Sequence, residues 1–320
     1  MLTTRLAPSP TGALHLGNAR TFLINWAVAR RLGWRIQLRI EDLDSPRVKP
    51  ESIDECIDTL RWLGIDWDAG PVVQSHDLTP YRDAMHSLAR ARRVFPSAHT
   101  RHEVEEAAAA LALSAPQEGA HDAPFPADLR PHAFPAEFVD DGRNWRFATP
   151  DTPVLLRDGF AGDRQLFPAH TAGDFVVWTK RGQPSYQLAV VVDDARQGVT
   201  HVVRGDDLLD SAARQTFLFE ALGHAAVPHY THLPLVIGPD GKRLAKRHGD
   251  TRVSTYRALG VPAARIRALL AHWNDPTTDG PRAEELSAAQ FAAGLDLARM
   301  PRTPVVCTPE NDAWLREAAR

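Results

Sequence analysis

A loop with two prolines, two glycines and a histidine lies near the amino terminus, where residues 6–18 read LAPSPTGALHLGN. Pro8 and Pro10 fix the backbone, and Gly17 lets it approach a ligand closely. The helical pattern that follows would direct free N–H groups and a partial positive charge at that ligand. His15 can add a hydrogen bond to a phosphate. The loop therefore suits an anion site, and a proline-rich surface turn is the alternative.

Two further stretches place charged side chains at the ends of apolar segments. DGKRLAKRHGD (240–250) concentrates basic residues, including Lys246, in a short loop that suits neutralisation of a polyphosphate during group transfer. RIEDLD (39–44) ends a buried-looking strand with three carboxylates, of which Glu41 comes first. Such carboxylates could bind a metal, receive an amine or cap the next element. Taken alone, the basic loop also fits a solvated turn.

The elements that must position these residues begin with alternating strand and helix patterns. Residues 2–6 and 34–40 are predicted strands, and the apolar spacing predicts a helix over 16–32 that ends at Gly33. A further helix is predicted over 52–63. This order is typical of a βαβ unit with a parallel sheet.

A second α/β half follows after an interruption. Residues 104–112 predict a helix, whereas 114–136 are dense in Pro, Ala and His and predict an irregular surface segment. The pattern from Thr251 onward is helical. Between these parts the apolar segments predict strands around a helix over 206–222, the strands being QLAVVVDD (187–194), THVVRG (200–205) and PHYTHLPLVIG (228–238).

The carboxyl ends of parallel strands form the ligand-binding edge of such a sheet. Arg5, the 8–18 loop, Glu41 and Arg204 all lie near predicted strand ends, and Tyr186 lies at the edge of another apolar segment. Each of these side chains alone would usually be structural. The topology predicts that they meet at one site.

Composition sets outer limits on function. The 320 residues carry a formal charge of −3, so no global positive field indicates a nucleic-acid partner, although a local basic stripe can suffice. The two cysteines, Cys56 and Cys307, form no paired motif and argue against a secreted disulfide scaffold. The first residues have no apolar signal region, and no apolar run is long enough to span a bilayer. We expect a soluble cytoplasmic protein without a membrane partner.

The motifs together resemble one family in order and spacing. The opening loop resembles the HIGH signature of class I aminoacyl-tRNA synthetases, and RLAK (243–246) occupies the place of their KMSKS loop. The resemblance narrows to the glutamyl branch, and within it to the short paralogues of the glutamyl-Q tRNA(Asp) synthetase family, over about residues 3–273. It rests on the segments RLAPSPTG, RIEDLD, YQLAVVVDD, GVTHVVRGDDLLDS and GKRLAKRHGD.

This resemblance implies an α/β fold of the class I synthetase type, a Rossmann catalytic domain with an inserted subdomain and a short helical C-terminal part. The catalytic halves would be 1–93 and 187–250, the second bearing the KMSKS-like loop. The insertion would be 94–186, an acceptor-binding-like region, and 251–320 would be helical with no anticodon-binding domain.

The resemblance also implies a site. Glutamate and ATP, with Mg²⁺, would give glutamyl-adenylate and pyrophosphate. Two catalytic residues are expected, His15 and Lys246. The glutamate contacts are expected from a set of eight residues: Arg5, Leu6, Ala7, Pro8, Ser9, Glu41, Tyr186 and Arg204. The ATP contacts are expected from His15, Gly17, Asn18 and Lys246.

The acceptor implied is queuosine, a modified anticodon base of tRNA(Asp), because fewer than fifty residues follow Trp273 and leave no room for an anticodon-binding region. We expect a monomer that activates glutamate without tRNA. Three alternatives stay open: a truncated glutamyl-tRNA synthetase that charges a 3′ end, a glutamate-adenylating ligase with a non-tRNA acceptor, and a catalytically inactive paralogue.

The sequence departs from the family pattern at three places. The zinc cysteines often found in the insertion are replaced in FPSAHTR (95–101) by Ser97 and His99, so we expect no metal site and no zinc. Ala245 replaces a serine of the KMSKS-like loop, which puts one hydroxyl contact in doubt. Asn18 replaces the last histidine of the opening motif, a position that tolerates variation in this branch.

Overall fold

The structure is a computed structural model that describes residues 1–10, 14–43, 48, 50–110, 123–242, 244, 250–277 and 280–319. The strands in chain order are β1 Thr3–Leu6, β2 Arg35–Ile40, β3 Ala69–Val73, β4 Val94–Ser97, β5 Asn144–Phe147, β6 Val154–Asp158, β7 Gly162–Leu166, β8 Phe175–Thr179, β9 Gln183–Pro184, β10 His201–Gly205, β11 His229–Leu233, β12 Val236–Ile237 and β13 Val305–Val306. The helices are α1 Leu16–Leu32, α2 Pro50–Trp62, α3 Thr79–Arg90, α4 Arg101–Ala110, α5 Pro168–Thr171, α6 Tyr186–Arg196, α7 Leu209–Ala221, α8 Val253–Ala258, α9 Ala263–Asn274, α10 Ala288–Gly294 and α11 Pro309–Arg316.

Parallel strands form the centre of the fold, as the sequence predicts. β1, β2 and β3 make one parallel sheet in that order, and β10 pairs in parallel with β11. The two sheets meet where the Thr200 N–H donates to the Thr3 carbonyl at 2.8 Å. The carboxyl ends of β1, β2 and β10 therefore lie on the same side of the molecule.

Helix α1 has the predicted bounds because a capping residue marks each of its ends. At the start, His15 Nδ1 accepts hydrogen bonds from the backbone N–H groups of Gly17 and Asn18. At the end, Gly33 adopts a left-handed conformation with φ of 67°, which glycine reaches without steric cost. The helix packs its buried face into the main hydrophobic core beside β2.

The prediction of a strand over 187–194 is wrong, because these residues belong to helix α6. Every residue from Gln187 to Asp194 is buried, so the segment has no exposed face whose spacing could reveal the helical period. A short, fully buried apolar run cannot be assigned from periodicity alone, and its valines favoured a strand. Tyr186 consequently opens a helix rather than flanking a strand.

The predicted insertion contributes an antiparallel sheet of order β4-β5-β8-β9 and the hairpin β6–β7. Of the predicted irregular segment, residues 123–136 contain only an isolated bridge at Phe125 and one short 3₁₀ turn, and the remainder lies outside the described residues. The predicted helical tail also contains β13, which pairs in parallel with β12. The domain boundaries at 93, 186 and 250 stay predictions. Among the described residues, no helix is both long and apolar enough to cross a bilayer.

Candidate active site

The loops that follow β1 and β2 are tied to each other by two hydrogen bonds. The Glu41 N–H donates to the Pro8 carbonyl at 3.0 Å, and the Ser9 hydroxyl donates to the Glu41 carbonyl at 2.9 Å. Both loops leave the carboxyl ends of neighbouring parallel strands. The opening loop therefore fixes the position of Glu41 at the ligand-binding edge of the sheet.

Among the described residues, the Glu41 carboxylate accepts hydrogen bonds at one oxygen only. Its Oε1 accepts from Arg39 Nη2 at 2.9 Å and from Arg39 Nε at 3.2 Å. Among the described residues no donor lies within hydrogen-bonding distance of Oε2, and 13% of the side chain remains exposed. Burial raises the pKa of Glu41 despite the opposing charges of Arg39 and Arg5. The outer oxygen can therefore accept a hydrogen bond from a cationic ligand.

Arg39 links Glu41 to the end of helix α6. This fully buried guanidinium donates from Nη1 to Asp194 at 2.7 Å and to Gln197 at 3.0 Å. Arg5 Nε lies 3.5 Å from the same Asp194 oxygen. The Arg5 side chain makes no hydrogen bond among the described residues, so its guanidinium is available to a carboxylate ligand.

Arg204 is a buried cation without an anionic partner in the described part of the chain. Its Nε donates to His232 Nε2 at 3.0 Å, its Nη1 to Gln215 at 2.9 Å, and its Nη2 to the Leu208 carbonyl at 3.1 Å. It also lies over the Tyr230 ring, 5.0 Å from the centroid. A buried charge is costly unless it is paired, so the position favours an anionic ligand.

Tyr186 shows that these groups converge. It is partly buried at the first turn of α6, and burial raises the pKa of its hydroxyl. The charges of Arg204 and Arg5 lower the pKa of that hydroxyl, and the charge of Glu41 raises it, so all three lie near it. The structure thus brings the four predicted polar side chains together at one site.

The remaining predicted glutamate contacts differ in what they can offer. The Leu6 side chain is fully buried in the main core, so only its backbone can face a ligand. Pro8 is buried as well, Ala7 is partly buried and Ser9 is exposed. The hydroxyl of Ser9 already donates to the Glu41 carbonyl, so it connects the two loops.

The predicted ATP contacts lie at the start of helix α1. His15 caps the helix through Nδ1, and the bond from Leu16 N–H to the Thr251 carbonyl joins this turn to the segment after the basic loop. A Cβ built on Gly17 would lie 3.1 Å from the His15 ring and 3.3 Å from Val236 Cβ, so a larger residue would crowd the turn. Lys246 and Ala245 lie outside the described residues, and the role of Lys246 stays a prediction.

Sequence reasoning missed the residues that support this site. Arg39, Asp194, His232, Gln215 and Asp158 hold the predicted side chains in place. A charged residue inside the apolar strand RIQLRI was a usable signal for Arg39, because a buried arginine requires buried carboxylates. No local signal connects Asp158 with His232, which are 74 residues apart.

In the segment where the family often carries zinc cysteines, Ser97 ends β4 and is buried, whereas His99 is exposed. Its ring lies 5.8 Å from that of Phe125. Within the described ranges no group of three or more His, Cys, Asp or Glu side chains could hold a metal ion.

Comparison with known proteins adds a family to this geometry. A family model described as the catalytic domain of class I tRNA synthetases (E and Q) matches residues 1–275. A protein named glutamyl-Q tRNA(Asp) synthetase from Symbiobacterium thermophilum is 44% identical over 98% of both chains. One of the same name from Rhodopirellula baltica is 47% identical over 82% of both. The crystal structure of a glutamate tRNA ligase from Elizabethkingia meningosepticum in complex with its amino acid superposes with a TM-score of 0.77 at 26% identity, covering 98% of this chain and 68% of that one.

Proposed function

Because the chain belongs to the class I tRNA synthetase family of the glutamyl and glutaminyl enzymes, we propose that it activates glutamate with ATP and transfers the glutamyl group to queuosine in tRNA(Asp). Relatives of that name, at 44% and 47% identity, support the acceptor. The observation that supports activation is Arg204, a buried cation that lacks a carboxylate partner among the described residues. Its charge, like that of Glu41, affects the pKa of the Tyr186 hydroxyl.

The charges at the site match those of glutamate. Arg5 and Arg204 can each bind one of its two carboxylates, because a planar guanidinium can donate two parallel hydrogen bonds to a carboxylate. Glu41 accepts from the ammonium group, and Arg39 keeps that carboxylate in place. Tyr186 contributes a hydroxyl. A monocarboxylic amino acid would leave one of the two guanidinium groups without a ligand carboxylate, so the site prefers an acidic substrate.

Adenylate formation needs little covalent chemistry from the protein. The α-carboxylate oxygen of glutamate attacks the α-phosphorus of ATP in line, and pyrophosphate leaves. Positioning and charge stabilisation therefore supply most of the rate enhancement. His15, Gly17 and Asn18 hold the nucleotide at the start of helix α1, and Lys246 stabilises the departing pyrophosphate. Mg²⁺ accompanies the ATP phosphates.

In the second step a hydroxyl of the queuosine cyclopentenediol attacks the carbonyl carbon of the adenylate, and AMP leaves. The net charge of −3 leads us to expect modest tRNA affinity that falls as salt rises. We expect the working form to be a cytoplasmic monomer.

The activation step is tested by glutamate-dependent exchange between ATP and pyrophosphate without RNA. Wild-type protein should exchange with glutamate and not with glutamine. Lys246→Ala and Glu41→Gln should each lose at least about 100-fold of the activity, since each removes a charged contact in the transition state. Lys180→Ala, which changes an exposed lysine, is the matched control and should keep it. Glutamine-dependent exchange, or full activity in Glu41→Gln, would overturn the assignment.

The acceptor is tested with labelled glutamate and four forms of tRNA(Asp), queuosine-bearing or unmodified, each with or without its 3′ adenosine. Queuosine-bearing tRNA should be labelled whether or not its 3′ adenosine is present, and an unmodified transcript should not be labelled. Labelling of the transcript only when its 3′ adenosine is present would support a truncated synthetase. Exchange without labelling of any RNA would support a ligase with a non-tRNA acceptor.

A further inference from the structure

Three buried side chains form a continuous chain behind the predicted glutamate site. Asp158 lies at the end of β6, His232 in β11 and Arg204 in β10. The distance from His232 Nδ1 to Asp158 Oδ2 is 2.6 Å, and that from Arg204 Nε to His232 Nε2 is 3.0 Å. Asp158 also accepts from the backbone N–H groups of His232, Phe160 and Ala161, so its carboxylate is firmly held.

The partners determine the protonation state of the histidine. An arginine Nε can only donate a hydrogen bond, so His232 Nε2 must accept one. The ring proton then lies on Nδ1, where it is donated to Asp158. The imidazole is therefore neutral, and burial together with the Arg204 charge lowers its pKa against the opposing effect of Asp158.

This arrangement restricts how Arg204 can receive a ligand. A guanidinium carries five N–H groups. One is donated to His232, one to Gln215 and one to the Leu208 carbonyl, which leaves one on each terminal nitrogen. Because Nε is occupied, a carboxylate must bind end-on across Nη1 and Nη2. The histidine thus decides which edge of Arg204 faces the substrate.

We propose that His232, oriented by Asp158, is a positioning residue that presents the outer edge of Arg204 to a carboxylate of glutamate and releases it when the imidazole becomes protonated. The inference rests on the proposed function, because it needs glutamate as the ligand. A protonated His232 has no acceptor for Arg204 Nε and places a second positive charge beside it. Binding of glutamate should therefore weaken as the pH falls.

The pH effect can be assigned to His232 only if no neighbouring group titrates in the same pH range. Among the described residues, the charged ones that face the imidazole are Asp158 and Arg204, and the ring of Tyr230 stacks on it with centroids 5.7 Å apart. Burial raises the pKa of the Tyr230 hydroxyl above its ordinary alkaline value. Burial alone would raise the pKa of Asp158, but the hydrogen bonds from His232 and the backbone have the larger effect. The pKa of Asp158 is therefore below its usual value. The imidazole of His232 is then the group of this cluster whose protonation on acidification can break the contact with Arg204, at a pKa that burial lowers from its usual value.

Two substitutions distinguish the roles of the two ring nitrogens of His232. In His232→Asn the amide nitrogen can replace Nδ1 and donate to Asp158, but no acceptor reaches Arg204. In His232→Gln the side-chain oxygen can replace Nε2 and accept from Arg204 without titrating. Full-length variants are compared with wild type by glutamate-dependent exchange between pH 5.5 and 8.5, with calorimetric binding of free glutamate as a second measurement.

At pH 7.5 we expect His232→Asn to raise the KM for glutamate about 10-fold or more with the KM for ATP unchanged, and His232→Gln to stay within about 3-fold of wild type. The wild-type KM should rise toward pH 5.5, and that rise should be absent in His232→Gln. Asp158→Asn, which removes the carboxylate charge, should move the rise to lower pH and serves if His232→Asn fails to fold. A normal glutamate KM in His232→Asn, or a wild-type pH profile in His232→Gln, would overturn the proposal. Absence of glutamate-dependent exchange in wild type would instead refute the proposed function.

Discussion

Replacement of Arg39 by methionine tests whether this guanidinium is the structural cation of the site. Arg39 is fully buried and lies within hydrogen-bonding distance of Glu41, Asp194 and Gln197, with Asp193 3.9 Å away. Methionine fills a similar volume but removes the one guanidinium that contacts both Glu41 and Asp194 among the described residues, and Arg5 remains only 3.5 Å from Asp194. Breaking a buried ion pair from one side costs about 3–5 kcal/mol. For a chain of this size we expect the melting temperature to fall by roughly 4–8 °C.

The loss should depend on pH in a defined direction. Without Arg39, whose charge lowers the pKa of Glu41, burial holds the folded-state pKa of Glu41 above its unfolded value. Groups with raised folded pKa values stabilise the fold below the unfolded pKa, and this contribution is lost as the pH rises through the folded pKa. The deficit of Arg39→Met should therefore be smaller at pH 5 than at pH 8.

Urea unfolding of wild type, Arg39→Met and Arg196→Met at both pH values checks this reasoning. Arg196 also contacts Asp193, at 3.5 Å, but its side chain is 49% exposed. A surface ion pair contributes about 0–1 kcal/mol, so Arg196→Met is the matched control. A deficit below about 1 kcal/mol for Arg39→Met at pH 8, or one that grows on acidification, would refute the assignment of Arg39 as the cation that compensates these carboxylates.

Four further predictions concern the site and the thiols. Arg204→Lys keeps the charge but loses the fork, so the KM for glutamate should rise about 10- to 100-fold in the exchange assay with the KM for ATP unchanged; an unchanged glutamate KM would contradict the role of Arg204. Ser9→Ala removes the tie to Glu41 and should raise the glutamate KM about 5-fold, with no effect if the loops are held otherwise. Burial raises the pKa of Cys56 to about 12 and that of Cys307 to about 11, so a thiol reagent at pH 8 should label neither within minutes in native protein and both after denaturation; rapid native labelling would show that they are accessible. Because 95–101 offers no cysteine, a zinc chelator should leave the melting temperature unchanged with Mg²⁺ present, and one zinc per chain by elemental analysis would refute this.

The elements that the sequence predicts well are those with local signals. Helix α1 has a capping histidine and a terminating glycine, and both act within one turn of the helix end. The convergence of Arg5, Glu41 and Arg204 follows from strand order alone, because the carboxyl ends of parallel strands share one edge. Helix α6 was missed because burial on all sides removes the periodicity that a sequence can show.

The supporting residues escaped prediction for a different reason. Arg39 and Asp194 are 155 residues apart, and Asp158 and His232 are 74 apart. Their pairing depends on how the two halves of the sheet and the β6–β7 hairpin pack. No spacing within a single segment encodes such a pair, although a buried charge in a strand indicates that a partner exists.

Two buried arginines of this site show how charge accounting separates structure from function. Arg39 contacts Glu41 and Asp194 in the folded chain, so its cost of burial is offset before any ligand arrives. Arg204 is satisfied only by neutral groups, His232, Gln215 and a backbone carbonyl, within the described structure. No carboxylate of the described residues compensates its charge, so the position favours a bound anion. A carboxylate of glutamate meets that requirement, and the neutral state of His232 follows from it, because a protonated imidazole would add a second uncompensated charge.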